Sequence, residues 1–197
     1  MVKIGIFGSC QLDVYKKFLT DEVCSKYNVK SMFMTLFLEY DEGFPKFYKG
    51  RLDYSCFNSI DLLIIQNNNL NNNNQASSKK IVNFCKSKNI KTLQIPLLYL
   101  PIYPINWDGK GYNKKHLASF YRYNDIDYNS KVKYILSNIK NEIRKSDISI
   151  ELYYFIQNNF RKRLLFIHSL HPTNTLLIYL WKYIFDLLGF EFKTEQY

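Results

Sequence analysis

The sequence contains no CxxC pair: its four cysteines, Cys10, Cys24, Cys56 and Cys85, are irregularly spaced over 197 residues. That spacing argues against a zinc site built on cysteine and gives little support to a disulfide framework, so reduced thiols are expected. No apolar run approaches the length needed to cross a bilayer. The N-terminus lacks a signal-peptide pattern, because Lys3 interrupts a short run that Gly8 soon ends. A soluble, cytoplasmic chain is expected. Also absent are an internal repeat, a credible domain boundary and any helix-turn-helix, zinc-finger or RNP-like signature. The basic residues are dispersed, so a nucleic-acid partner is not expected.

What is present fills one domain over residues 1–197. A hydrophobic content of 47% with 17% aromatics excludes disorder as a description of the whole. The net charge of +10 fits an anionic partner, although the abundance of Lys, Asn, Ile, Tyr and Phe is also what AT-rich coding produces. The run Asn67 to Asn74, broken at Leu70, fits the same drift and reads as a solvated loop.

Strands are expected at Lys3 to Phe7, within Val29 to Leu38, at Leu62 to Ile65 and at Thr92 to Leu97, with a short fifth at Leu164 to Ile167. Helices are expected from Gln11 to about Tyr27, Ser77 to Lys88, Asn129 to Arg144, Asp147 to Phe160 and Thr173 to Leu188. Pro172 opens the last of these and Gly189 closes it. The alternation predicts an α/β fold: a mostly parallel sheet with helices on both faces, three layers in all. Glu39 to Asn58 reads as loop with room for a short helix, and Leu98 to Tyr128, aromatic and punctuated by Pro101 and Pro104, as a long connection that walls a pocket.

Sites in such sheets lie beyond the carboxyl ends of the strands. Three segments fall there. Gly8-Ser9-Cys10-Gln11 follows the first strand, where a cysteine leading a helix serves either as a thiolate nucleophile or through its backbone amide as an oxyanion donor. The amides of Gln66-Asn67-Asn68-Asn69 suit an oxyanion hole, with Asn67 and Asn68 as the donors. His171 suits a general base, with His168 orienting it or binding substrate. The competing structural readings are a buried apolar cysteine, turn asparagines and a capping histidine.

The order of these blocks resembles that of SGNH/GDSL hydrolases, with Cys10 standing where their serine stands and His168 where their aspartate stands. Gly8-Ser9-Cys10-Gln11 is more similar to the opening Gly-Asn-Cys-Gln motif of the WcbI family of polysaccharide-biosynthesis, acetyltransferase-like proteins. Phe166 to Asn174 resembles that family's closing motif, and Gln94 to Tyr99 with Tyr103-Pro104 its middle segment. The resemblance implies an SGNH-like fold, binding of coenzyme A or acetyl-CoA, and acetyl transfer to a sugar or nucleotide-sugar acceptor. It implies that Gly8, Ser9 and Gln11 contact the cofactor. Arg161 and Arg163, or Lys114 and Lys115, could neutralise its phosphates. A solvated basic surface is the alternative for either cluster.

Direct transfer aided by His171 and a covalent route through a Cys10 thioester both remain open. The rival chemistries are hydrolysis of an acylated glycan and a zinc site joining His168 and His171 to Cys10 or Asp13; no metal is expected.

Overall fold

Apolar runs too short for helices build the centre of the fold. In the computed structural model, β1 (Val2–Gly8), β2 (Val29–Thr35), β3 (Leu62–Gln66) and β4 (Lys91–Ile95) form a four-stranded sheet of order β2-β1-β3-β4, among the described residues. These are residues 1–35, 52, 54–68, 70, 74, 76–100, 125–168 and 171–193. Every pairing in the sheet is parallel, Phe7 standing opposite both Met34 and Ile65, and Ile65 opposite Gln94. Parallel neighbours need crossovers, which the helical segments after β1 and α3 (Ser78–Ser87) after β3 supply. Successive residues of a strand face opposite sides. Ile6 with Phe7, and Leu63 with Ile64 and Ile65, are all fully buried, so both faces of the central strands are covered.

The sequence predicts one helix from Gln11 to Tyr27. Instead the segment breaks into α1 (Cys10–Asp13), a 3-10 turn over Val14–Lys17, and α2 (Asp21–Lys26). The apolar stripe itself is buried at Leu12, Tyr15 and Leu19. The break has a local cause: Thr20 takes an extended backbone and its Oγ1 accepts from the Val23 amide, with Asp21 and Glu22 following in the positive first turn.

One side of the sheet holds a core of Phe7, Leu63 and Ile65 with Phe57 and Ile60, closed by Ile81, Val82 and Cys85 of α3. Phe57 meets Phe7 edge-on at 6.0 Å, and Tyr54 lies 4.9 Å from Phe84.

Contacts divide the chain into two compact units, Met1–Leu97 and Leu98–Gln196. The second contains α4 (Asp125–Arg144), α5 (Glu151–Asn159) and α6 (Asn174–Leu188). Val132, Leu136, Ile139 and Ile143 line one face of α4, and Leu177, Leu180, Trp181 and Ile184 are buried on α6 at helical spacing. Phe155 of α5 stacks on Tyr179 of α6 at 3.6 Å. Gly189 ends α6 at φ +70°, a conformation that favours glycine, and the Phe190 amide returns to the Phe185 carbonyl at 2.9 Å. The expected fifth strand is present as β5 (Phe166–His168), which among the described residues pairs antiparallel with β6 (His171–Pro172) in a two-stranded ribbon. The expected pocket wall, apart from its ends, and with it Lys114 and Lys115, lies outside the described residues; most of Glu39 to Asn58 does too.

Burial pushes the Cys85 thiol from its ordinary value near 9 up to about 11. The folded protein keeps that proton where the unfolded chain releases it. The contribution is therefore complete below about pH 9 and is lost as pH rises toward 11, on the order of 2 kcal/mol in all. Tyr15 and Tyr54, also raised first by burial, act with the same sign at higher pH. Urea midpoints measured across this window are expected to fall, and to fall less steeply in Cys85→Ala, whose baseline is lower because of the cavity.

Candidate active site

The strand order turns around at β1. The chain leaves β1 for β2 on one side, then returns to lay β3 on the other, so the carboxyl ends of β1 and β3 flank a topological switch point. Gly8-Ser9-Cys10-Gln11 leaves from one of these ends and Gln66-Asn67-Asn68 from the other.

A buried polar cluster joins them. Gln66 and Gln11 are 1% and 2% exposed and Ser9 is 8% exposed. The Gln66 Oε1 accepts from the Ser9 amide at 2.9 Å and from the Ser9 hydroxyl at 2.6 Å, while Gln66 Nε2 donates to Gln11 Oε1 at 2.8 Å. Ser9 Oγ in turn accepts from the Gln11 amide at 3.3 Å, capping α1. Such a cluster is stable away from water because its members are hydrogen-bonded to one another.

Gly8 is required by the same packing. A Cβ there would stand 2.8 Å from Leu12 Cδ1, 2.9 Å from Gln66 Cβ and 3.1 Å from Gln66 Oε1. Ser9 and Gln11, expected from the sequence to contact a cofactor, thus direct these hydrogen-bonding groups into the protein. The Ser9 and Gln11 amides are committed as well. The one-turn α1 supplies a smaller dipole at Cys10 than the long helix expected from the sequence.

After β3, the Asn67 amide continues the ladder by donating to the Ile95 carbonyl at 2.8 Å. Asn68 closes the loop that follows. Its Oδ1 accepts from the Ser78 amide at 3.1 Å and from the Leu70 amide at 3.3 Å, and its Nδ2 donates to the Ala76 carbonyl at 2.9 Å. Ser78 Oγ accepts from the Asn68 amide at 3.2 Å. Helix α3 is therefore capped from ten residues upstream; Ser77, at its N-cap, makes no side-chain cap bond.

In the second unit, the β5–β6 register sets His168 opposite His171. His171 is half-buried and Pro172 is buried. Thr173 anchors the exit into α6: its amide donates to the Leu165 carbonyl at 2.8 Å, and its hydroxyl is shared between the Leu164 and Leu165 carbonyls at 3.0 and 3.2 Å. Arg161, Lys162 and Arg163 form an exposed turn after α5. The amides of Lys162 and Arg163 both donate to the Asn159 carbonyl at 2.8 Å, and the Arg161 guanidinium lies 5.4 Å from the Phe160 ring centre. Among the described residues, no three of His, Cys, Asp and Glu gather as a metal-ligand set, and no helix is long and apolar enough to cross a membrane.

The sequence reading placed Gln66 in a segment of amide donors and missed that it binds Ser9 and Gln11. The available signal was a polar residue directly ending an apolar strand, with a glycine ending the neighbouring one.

No protein-family model and no curated protein matches this chain. A solved structure is similar in fold: WcbI, described as a novel polysaccharide biosynthesis enzyme, in its native form without a disulfide bond between coenzyme A and one of its cysteines. The likeness covers 99% of this chain and 71% of that one, with a TM-score of 0.61 and 17% sequence identity. The chain therefore has a WcbI-like fold, in line with the resemblance seen at its two terminal motifs.

The Asn68 geometry separates two roles. Asn68→Ala is expected to lower stability by about 2 kcal/mol in urea denaturation, with Asn68→Asp recovering much of it by keeping an acceptor at the start of α3. A fall in kcat of about a hundredfold without loss of stability would mark Asn68 as an oxyanion donor instead.

Proposed function

We propose that this chain is a coenzyme A-dependent acetyltransferase that modifies a hydroxyl or amine of a sugar, carried on a nucleotide or in a polysaccharide. The observation that carries the reading is the fold likeness, over 99% of the chain, to an enzyme whose own description joins polysaccharide biosynthesis, coenzyme A and a cysteine. The motif Gly8-Ser9-Cys10-Gln11 at the switch point supports it. In this reading residues 1–197 form one acyltransferase domain of three-layer, SGNH-hydrolase-like architecture acting in the cytoplasm, as the resemblance of the terminal motifs implies.

Roles follow from the chemistry of each residue. Gly8, Ser9 and Gln11 hold the turn that presents Cys10. In direct transfer, His171 accepts the proton of the acceptor hydroxyl or amine as that atom bonds to the acetyl carbon. The carbonyl oxygen becomes an oxyanion, for which the Cys10 amide and Asn67 are the proposed donors. Collapse breaks the carbon–sulfur bond, and the departing CoA thiolate takes the proton from His171. In the covalent route His171 takes the Cys10 proton, the Cys10 thiolate attacks, and the departing CoA sulfur takes that proton from His171. His171 then accepts the acceptor's proton as the acceptor displaces Cys10 from the acetyl thioester, and returns it to the Cys10 sulfur. His168 orients or assists His171 in either route. Arg161 and Arg163, exposed at the end of α5, and Lys114 and Lys115 are the proposed partners of the CoA phosphates.

Calorimetric titration is expected to show binding of both coenzyme A and acetyl-CoA; absence of both sinks the reading. CoA release is expected to require a sugar, whereas release by water alone would make the enzyme a deacylase. His171→Ala is expected to abolish transfer while retaining acetyl-CoA binding. Cys10→Ala discriminates the routes: turnover lost with binding intact means a covalent intermediate, and turnover kept means direct transfer.

A further inference from the structure

The Gln66 cluster has a direction that elementary chemistry fixes. A backbone N–H can only donate, so the Gln66 atom facing the Ser9 amide at 2.9 Å is its oxygen. The same oxygen receives the Ser9 hydroxyl at 2.6 Å. Gln66 must then present its NH2 to Gln11, and Gln11 must answer with its carbonyl oxygen, as the 2.8 Å contact records. The orientation of the Gln11 amide is therefore dictated by a backbone N–H reaching it through a residue 55 positions away.

Glutamine meets all three partners in a single charge state, whatever the pH. Leucine or methionine would fill the space and orphan the Ser9 amide. Glutamate in its charged form would accept from Ser9 but has no hydrogen for Gln11. Asparagine is one carbon shorter. The Cβ of Gln66 also forms the wall that restricts residue 8 to glycine. Gln66 therefore determines both the backbone path through Gly8 and Ser9 and the hydrogen-bond polarity of the residues on either side of Cys10.

We propose that Gln66 is the positioning residue of the Cys10 turn, setting the reactivity of the Cys10 thiol through Ser9 and Gln11 without contacting substrate. The inference rests on the reading of Cys10 as the reactive thiol, yet its test needs neither coenzyme A nor a sugar. Failure to bind CoA would leave it standing.

The probe is iodoacetamide, with peptide mapping to follow Cys10 separately from Cys24, Cys56 and Cys85. In Gln66→Met the Cys10 alkylation rate is expected to fall roughly fivefold or more near neutral pH, with the half-buried Cys24 and Cys56 unchanged. Gln66→Glu gives a sharper readout. A protonated glutamic acid reproduces the glutamine: its carbonyl accepts from Ser9 and its hydroxyl donates to Gln11. The variant is expected to match the native Cys10 rate at acid pH and to fall below it as the carboxyl ionises, a step absent from the native profile and from Gln66→Met. Should Gln66→Met fail to fold, the glutamate variant, which keeps every bond at acid pH, carries the test. Cys10 rates in Gln66→Glu that stay within about twofold of native at every point between about pH 5 and 9 would overturn the proposal.

Discussion

A buried glutamine side chain between two parallel strands is the constraint on which the candidate site depends. The strands β1 and β3 are neighbours because Ile4, Ile6, Leu63 and Ile64 leave water together. Such a sheet has no intrinsic reason to hold a polar group at its edge. Gln66 is accommodated there because Ser9 and Gln11 satisfy both ends of its amide. The arrangement in turn demands glycine at position 8 and an N-cap acceptor at position 9. Hydrophobic burial sets where the turn lies, and hydrogen bonding sets its shape.

The same division explains what could be read from the sequence. Strands β1, β3 and β4 were legible because short apolar runs between turn signals have few other uses, and α6 because its apolar stripe ends at Gly189. The break at Thr20 was missed because the buried stripe of Leu12, Tyr15 and Leu19 continues through it, and periodicity outvoted a capping residue. Leu164 to Ile167 was legible as a short strand, but so short an apolar run does not declare its partner. Its partner is His171–Pro172, a few residues on.

The site was half legible. Its location followed from the rule that binding sites gather at the carboxyl ends of parallel strands, and the sheet order β2-β1-β3-β4 puts the switch point where Gly8-Ser9-Cys10-Gln11 begins. The partners of Ser9, Gln11 and Asn68 were not legible. A bond between residues 9 and 66 leaves no periodic trace in one sequence, and the asparagine-rich stretch looked like compositional drift. Within it, Asn68 caps α3 through Ser78. Ser9, Gln11 and Asn68, read from the sequence as contacts for a cofactor or an oxyanion, also make hydrogen bonds that build the turn and its neighbouring loop.

The proposed coenzyme A-dependent chemistry, by either route, requires the thioester end of acetyl-CoA to reach the Cys10 turn. Incubation with the disulfide of coenzyme A, followed by mapping of the adducts, tests this, since a thiolate that attacks that disulfide keeps one CoA and releases the other as its thiolate. A CoA adduct is expected on Cys10 well ahead of the half-buried Cys24 and Cys56, with Cys85 spared. Adducts on Cys24 or Cys56 in preference to Cys10, or none at all, would contradict it.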